Sequence, residues 1–288
     1  MNTHIKPFIK WVGGKRQLIP QMEKYLPKSS ENYFEPFVGA GALFFHMLPN
    51  NANINDMNEE LINTYKVIRN DIDNLIDKLN IHEKNNTAEY FYSVRIWDRQ
   101  PGYSRRSNTT KAARFIYMNK VGFNGLYRVN LKGQFNVPYG TYTNPKICDE
   151  NLLRDISKYF NEKNIHFTSL DFEEAVKGAK SGSFVYFDPP YDPLSKTSSF
   201  TQYQKGGFDR EEQKRLKCVA DRLVHKGAKV ILSNSNTEFI KDLYKNKIDD
   251  AKSDVDYFIV ELVDAKRSIN SKADGRGKIK EVLIISKD

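Results

Sequence analysis

The stretch "FEPFVGAGALFF", residues 34 to 45, decides the fold. Its first residues end a strand-like run, "NYFEPF" (32 to 37), and "GALFFHML" opens a helical one, so Gly39 and Gly41 fall at a strand-to-helix turn. Glycine allows such a turn to be tight and lets backbone N–H groups approach a ligand with no Cβ in the way. Asp56 ends the next strand-like run, "ANIND" (52 to 56), 17 residues after Gly39. An acidic side chain there can accept hydrogen bonds from ribose hydroxyls, which makes a nucleoside-containing cofactor the expected ligand. The alternative is an ordinary turn with an acidic cap.

Working outward, further strands are expected at "IHFTSL" (165 to 170), "SFVYFD" (183 to 188), "KVILSNS" (229 to 235), "YFIVELV" (257 to 263) and "EVLIIS" (281 to 286). Several are rich in Val, Ile and Phe without alternation, as strands covered on both faces are. Helical patterns lie between them: "NEELINTYKVIRNDIDNLIDKLNIH", "DFEEAVKGA" and "DREEQKRLKCVADRLVHKG", the last with an Asp cap and a stop at Gly227. Strands alternating with helices predict a doubly wound α/β sheet, and the last two strands, with no helix between them, are expected to pair antiparallel. Residues 58 to 162 break the rhythm and read as an inserted, mainly helical domain, with a β-hairpin turning at Lys132 and Gly133. The α/β domain then comprises 1–57 and 163–288. "RSINSKADGRGKIK" (267 to 280) reads as an exposed loop.

Charge is distributed unevenly. The net charge is +9, and between Arg99 and Ile147 stand Arg99, Arg105, Arg106, Lys111, Arg114, Lys120, Arg128, Lys132 and Lys146 with no Asp or Glu. Tyr103, Phe115, Tyr117, Phe123, Tyr127, Phe135, Tyr139 and Tyr142 are interleaved with them. Cations mixed with rings suit phosphates and stacked bases, so nucleic acid is the expected partner; the alternative is a solvated basic face over an aromatic core. Apolar runs such as "VLII" are too short to cross a bilayer, and "MNTHIKPFIKWVGG" carries no secretory pattern, so a cytoplasmic protein is expected. Cys148 and Cys218 form no CxxC pair and the five histidines show no ligand spacing, so no metal site is expected. "KWVGGKRQL" (10 to 18) is a second glycine pair near a lysine that lacks the first P-loop glycine and has Arg16 where Ser or Thr would meet magnesium; it disfavours ATP chemistry and on its own is compatible with a surface turn.

The second candidate site is "DPPY", Asp188 to Tyr191, at the carboxyl end of a strand, where open α/β sheets bind ligands. Pro189 and Pro190 have no N–H, so they stop the ladder and stiffen the exit. The Asp188 carboxylate and the Pro189 carbonyl make two acceptors for one amino group, and Tyr191 can stack on the ring that bears it. An exocyclic amine on a base is a poor nucleophile. Two acceptors on its hydrogens stabilise the charge that develops on attack, by positioning and preorganised electrostatics. The alternative is a proline-rich strand exit with a packed tyrosine.

In this order "KWVGGK", "FEPFVGAG", "FNGLYRVN…FNVPYG", "DF" (Asp171 and Phe172), "DPPY" and "FTQYQKGGF" resemble the Dam/DpnII-type, alpha-group DNA adenine N6-methyltransferases, from Lys10 to about Lys280. The resemblance implies a Rossmann-like class I methyltransferase sheet that binds S-adenosyl-L-methionine, releases S-adenosyl-L-homocysteine, and carries an inserted target-recognition domain. It implies cofactor contacts from Trp11, Lys15, Asp56 and Asp188, a pocket formed by Phe37, Gly39 and Gly41, and Asp171 and Phe172 bordering the adenine. Asp188, Pro189, Pro190 and Tyr191 would hold a flipped target base. Lys10, Asn124, Leu126 and Arg128 would touch double-stranded DNA within GATC, with Arg128 reading a guanine. A monomer that needs no metal, paired in some settings with a restriction endonuclease, completes the expectation. Related tetrads also act on cytosine N4 and RNA, and a silent DNA-binding protein could keep the fold; the methylated product separates these.

Overall fold

The computed structural model describes residues 5–194, 207–245, 257–266 and 278–287. Most of "FTQYQKGGF" and residues 267–277 of the expected loop lie outside the described residues, whereas Lys278 to Lys280, read as the end of that loop, are strand and begin β7 through pairing with β6. In chain order the elements are α1 (Ile19–Met22), β1 (Asn32–Glu35), α2 (Ala42–Met47), β2 (Asn51–Asn55), α3 (Glu59–Asn70), α4 (Ile72–Lys84), α5 (Ala88–Arg95), α6 (Asn108–Val121), α7 (Glu150–Glu162), β3 (Asn164–Thr168), α8 (Phe172–Ala175), β4 (Ser183–Phe187), α9 (Arg210–His225), β5 (Lys229–Ser235), α10 (Glu238–Lys245), β6 (Phe258–Lys266) and β7 (Lys278–Ser286). The strands form one seven-stranded sheet in the order β3-β2-β1-β4-β5-β7-β6. β1 pairs parallel with β2 and β4, and β4 pairs parallel with β5. β7 enters antiparallel beside β5, and β6 pairs antiparallel with β7 at the edge. The sheet is thus α/β and mostly parallel, with the antiparallel final pair that the missing crossover helix predicts.

The chain divides into two compact units: Met1–Gly14, Gly39–Leu48 and Asp56–Ser169 in the first, and Lys15–Val38, Pro49–Asn55 and Leu170–Asp288 in the second. In the second, every residue of β4 is buried, as a strand covered on both faces requires. Phe34, Val185, Phe187, Val230, Leu232, Val282 and Ile284 of the sheet share one core with Leu216, Ala220 and Leu223 of α9. The Asp209 side chain caps α9 by accepting from the N–H of Glu212 at 3.0 Å, and Gly227 (φ +83°) follows its last turn. Strand order reverses between β1 and β4, so their carboxyl ends are neighbours, at the point where such sheets bind ligands. From β1 the chain runs on to Phe37, and from β4 to Asp188.

The first unit is helical. Its longest sequence pattern, from Asn58 on, is two helices rather than one: the backbone breaks at Asp71 (φ −149°, ψ 48°). The Asp71 carboxylate accepts from the Asn74 amide and from the Thr109 hydroxyl of α6, a local bonding alternative that competes with a continuous helix. The hairpin turn at Lys132 and Gly133 is present in reduced form. Val129 and Phe135 make an isolated antiparallel bridge, the Asn130 side chain accepts from the N–H groups of Lys132 and Gln134, and Gly133 takes the left-handed conformation (φ +73°). Among the described residues no helix is long and apolar enough to cross a membrane.

Candidate active site

In the second unit the chain leaves β4 at Asp188, whose neighbours come from three separated segments. Lys15, only 5% exposed, brings its Nζ to 3.0 Å from Asp188 Oδ1 and to 4.5 Å from the centre of the Tyr191 ring. The lysine after the second glycine pair therefore belongs to this cluster and not to a surface turn. Its ammonium pairs with Oδ1, an oxygen buried from solvent. Burial pushes the Asp188 carboxyl up to about 6 against the pull of Lys15, with the nearby Glu281 carboxylate adding to the rise.

The two prolines are treated differently by their surroundings. Gln213 of α9 donates its side-chain N–H to the Pro190 carbonyl at 2.8 Å, and Asn234 of β5 donates to the Gln213 side-chain oxygen at 3.0 Å. Asn234 in turn accepts from the N–H of Asp192 (3.2 Å), and the Ser235 hydroxyl donates to the Asp192 carbonyl (2.7 Å). These bonds fix the loop on both sides of Tyr191, while none from the described residues ends on the Pro189 carbonyl. Pro189 and Asp188 thus keep acceptor capacity, and Tyr191 donates its hydroxyl to Glu281 of β7 at 2.9 Å. Sequence reasoning missed Gln213, Asn234 and Glu281: each lies on a different element, and no local spacing connects it to the tetrad.

Beside β1, Phe37 packs on Phe172 (5.5 Å between ring centres), Phe208 (5.6 Å) and Phe187 (6.4 Å). Asp171 caps α8 through the N–H of Glu173 and receives a two-pronged pair from Arg215, at 3.0 and 2.7 Å. Arg215 also lies over the Phe172 ring, and its guanidinium holds the Asp171 carboxyl below the usual range. Asp171 and Phe172 are therefore brought together with Phe37, with Arg215 as a partner the sequence did not single out.

In the first unit the glycine turn is built as its residues require. Gly39 (φ +50°) and Gly41 (φ +70°) are left-handed, and a Cβ at Gly39 would lie 2.6 Å from the Trp11 ring. Asp56 Oδ2 accepts from the N–H of Gly39 at 3.0 Å, and Oδ1 from the N–H of Asn58 at 2.9 Å. The carboxylate therefore braces the turn itself, with its remaining lone pairs open to a ligand. Burial raises the Asp56 carboxyl although both backbone donors pull it down. Tyr65 donates to the Gly39 carbonyl at 3.0 Å, and the Trp11 ring stacks on Tyr127 at 5.8 Å.

Tyr127 stands between two expected DNA contacts, Leu126 and Arg128. The buried Asn119 side chain donates to the carbonyls of Lys10 (2.8 Å) and Gly125 (2.9 Å) and accepts from the N–H of Lys10 (3.0 Å), tying the Lys10 segment to this loop. Asn124 adopts a left-handed backbone (φ +56°). Arg128 is exposed, with Nε on the Asn136 side chain at 2.7 Å. The basic stretch itself divides. Arg105 and Lys132 are exposed, but Arg114 is 1% exposed and pairs with Asp98 at 2.7 Å. Phe115, Tyr117 and Phe135 are buried, while Phe123 is exposed. Tyr103, Tyr127, Tyr139 and Tyr142 are half-buried, so the aromatics between the cations serve the interior of this unit as much as its surface.

The family model of D12 class N6 adenine-specific DNA methyltransferases matches residues 11–263. The chain is 46% identical to the Type II methyltransferase M1.LlaDCHI of Lactococcus lactis subsp. cremoris, over 98% of this chain and 95% of the relative. It is 42% identical to the Type II methyltransferase M.MjaIII of Methanocaldococcus jannaschii (98% and 99%), and 33% identical to the DNA adenine methylase of Escherichia coli K12 (98% and 95%). With the match running from Trp11 past the glycine turn and the Asp188 tetrad into β6, the chain belongs to the D12 class of N6 adenine-specific DNA methyltransferases.

Proposed function

We propose that this adenine-specific DNA methyltransferase takes its methyl group from S-adenosyl-L-methionine and places it on adenine N6 within GATC, on a base flipped out of the duplex. The observation that carries the reading is the Lys15 ammonium: a nitrogen bearing hydrogens already sits 3.0 Å from Asp188 Oδ1 and over the Tyr191 ring. That is the environment an adenine amino group needs, so the lysine head stands in for it. In the reaction Asp188 and the Pro189 carbonyl accept the two amine hydrogens, Tyr191 holds the ring, and Pro190 keeps the exit rigid. Bound S-adenosylmethionine supplies a methyl group activated by its sulfonium, so no metal is required. Trp11, the Cβ-free Gly39 and Gly41, and Asp56 suit its nucleoside, with Lys15, Phe37, Asp171 and Phe172 as further contacts. Residues 58–162 act as the recognition domain, and 1–57 with 163–288 as the catalytic one. Two relatives are named Type II methyltransferases, which supports pairing with a restriction endonuclease as the biological role. Transfer of labelled methyl to a GATC duplex, followed by nucleoside analysis, tests the reading; label in N4-methylcytosine, RNA or protein would overturn it.

Two results are expected beyond that assay. The ionised form of Asp188 is the stronger acceptor and alone offsets the positive charge that develops on nitrogen, so kcat should fall as pH is lowered through about 6. The stability effect of this one carboxyl has the opposite sign. The folded chain binds its proton more tightly than the unfolded chain does, so its contribution declines as pH rises from the ordinary carboxylate range to about 6. A pH profile of kcat flat down to about 5 would contradict the assignment. Arg128→Ala should cost about 1–3 kcal/mol at one base pair and relax discrimination there, measured by competition between GATC and singly substituted duplexes. Equal weakening on every sequence would make Arg128 a backbone contact instead.

A further inference from the structure

Tyr191 is anchored at both ends. Its backbone lies in the loop fixed by Gln213 and Asn234, and its hydroxyl donates to Glu281 Oε2 at 2.9 Å. Glu281 is a residue of β7, in register with Ser235 of β5 and Val263 of β6, so its backbone is held by ladders on two sides. The Tyr191 hydroxyl lies on the long axis of its ring. A hydrogen bond there fixes the direction of that axis, which the first side-chain torsion sets, and a rigid strand end makes the fixing firm. The Lys15 ammonium lies on the ring face that this tether directs, 4.5 Å from its centre, and also reaches Asp188.

We infer that Glu281 is a positioning residue for methyl transfer, holding the Tyr191 ring at the angle at which it receives the target base beside Asp188. This rests on the proposed use of Asp188 and Tyr191. The carboxylate accepts one hydrogen bond and takes no part in bond making. Its effect falls on turnover, because a base stacked on a ring whose axis has swung presents its nitrogen off the line of attack, and a small misplacement of that kind costs rate steeply.

The test is single-turnover and steady-state methylation of GATC duplex by wild type, Glu281→Ala, Glu281→Gln, Tyr191→Phe and the Tyr191→Phe/Glu281→Ala pair. Glu281→Ala is expected to lower kcat by about tenfold or more while the KM for S-adenosylmethionine stays within about twofold. Glu281→Gln, whose amide oxygen still accepts from the phenol, should recover most of that loss. In the Tyr191→Phe background, where the hydroxyl is gone, Glu281→Ala should add nothing, because the two residues act through one bond. Wild-type turnover in Glu281→Ala, a Gln variant as slow as the Ala variant, or an equal further loss in the Tyr191→Phe background would each overturn the inference. Should Glu281→Ala not fold, the Gln variant in both backgrounds decides the case: a loss as large with the Tyr191→Phe substitution present as without it is incompatible with a tether. Wild-type protein that puts no methyl on adenine defeats the underlying reading, and is distinguished by product analysis from a Glu281 variant that merely matches an active wild type.

Discussion

Asp188→Ala is expected to lower methyl transfer by about a hundredfold to a thousandfold while leaving most of the affinity for duplex DNA. The carboxylate is one of only two acceptors proposed for the amine, and removing one preorganised electrostatic partner from a water-poor site costs about a hundredfold to a thousandfold in other acyl- and group-transfer enzymes. Here it also removes the carboxylate that pairs with Lys15, a side chain only 5% exposed. A loss of stability is therefore expected together with the loss of rate, since breaking a buried pair from one side is costly whatever the residue does chemically. The two losses can be pulled apart. Asp188→Ala combined with Lys15→Met removes both charges, so much of the stability should return while turnover stays low. DNA binding by the folded variants, measured by gel shift or anisotropy, should remain close to wild type because the expected DNA contacts lie on other residues. Normal turnover in Asp188→Ala would end the proposed role of the tetrad.

The tetrad and the glycine turn were legible because their chemistry is local. Two left-handed glycines after a strand, or two prolines after an aspartate, state their geometry within a few residues, and β4 declared its burial by five apolar or small positions in a row. What sequence could not show is chemistry assembled from distant segments. Glu281 meets Tyr191 across 90 positions, and Asn119 meets Lys10 across 109. A lone Glu in a strand and a lone Asn in a helix each look like ordinary surface residues until the fold brings their partners. The break between α3 and α4 was hidden for a related reason, since the Thr109 hydroxyl that helps hold Asp71 comes from α6. Composition misled most in the basic stretch. A run of cations without acids gives the correct partner class but cannot tell which cations face solvent, and the charge that neutralises Arg114 stands just outside the counted segment, at Asp98.

Arg114→Met is expected to cost about 3–5 kcal/mol of stability, with the lost DNA affinity following from that, because this arginine is structural. Its guanidinium donates through Nε to the carbonyl of Val94 (3.1 Å) and through Nη2 to that of Arg95 (2.8 Å), and it pairs with Asp98 at 2.7 Å. Val94 and Arg95 are the last residues of α5, whose carboxyl end carries the negative pole of the helix, and the Val94 carbonyl also accepts from the N–H of Ile96. A methionine fills similar space but takes the charged donor away from two carbonyls and a carboxylate in a site almost closed to water. Asp98 also accepts from the N–H of Phe135 at 2.8 Å, across the reduced hairpin from Val129, so loosening the pair loosens the loop that carries Arg128. Urea denaturation should show the loss directly. Arg114→Met with Asp98→Leu should regain part of it, but not all, since the Phe135 N–H then lacks its acceptor. Arg105→Met provides the contrast: that side chain is exposed, so its loss should leave the unfolding midpoint nearly unchanged and lower the salt dependence of DNA binding by about one counter-ion. An Arg114→Met protein that unfolds at the wild-type midpoint and binds DNA with a reduced salt slope would return Arg114 to the phosphate-binding set, because a buried cation that can be removed without cost to the fold was not holding it together.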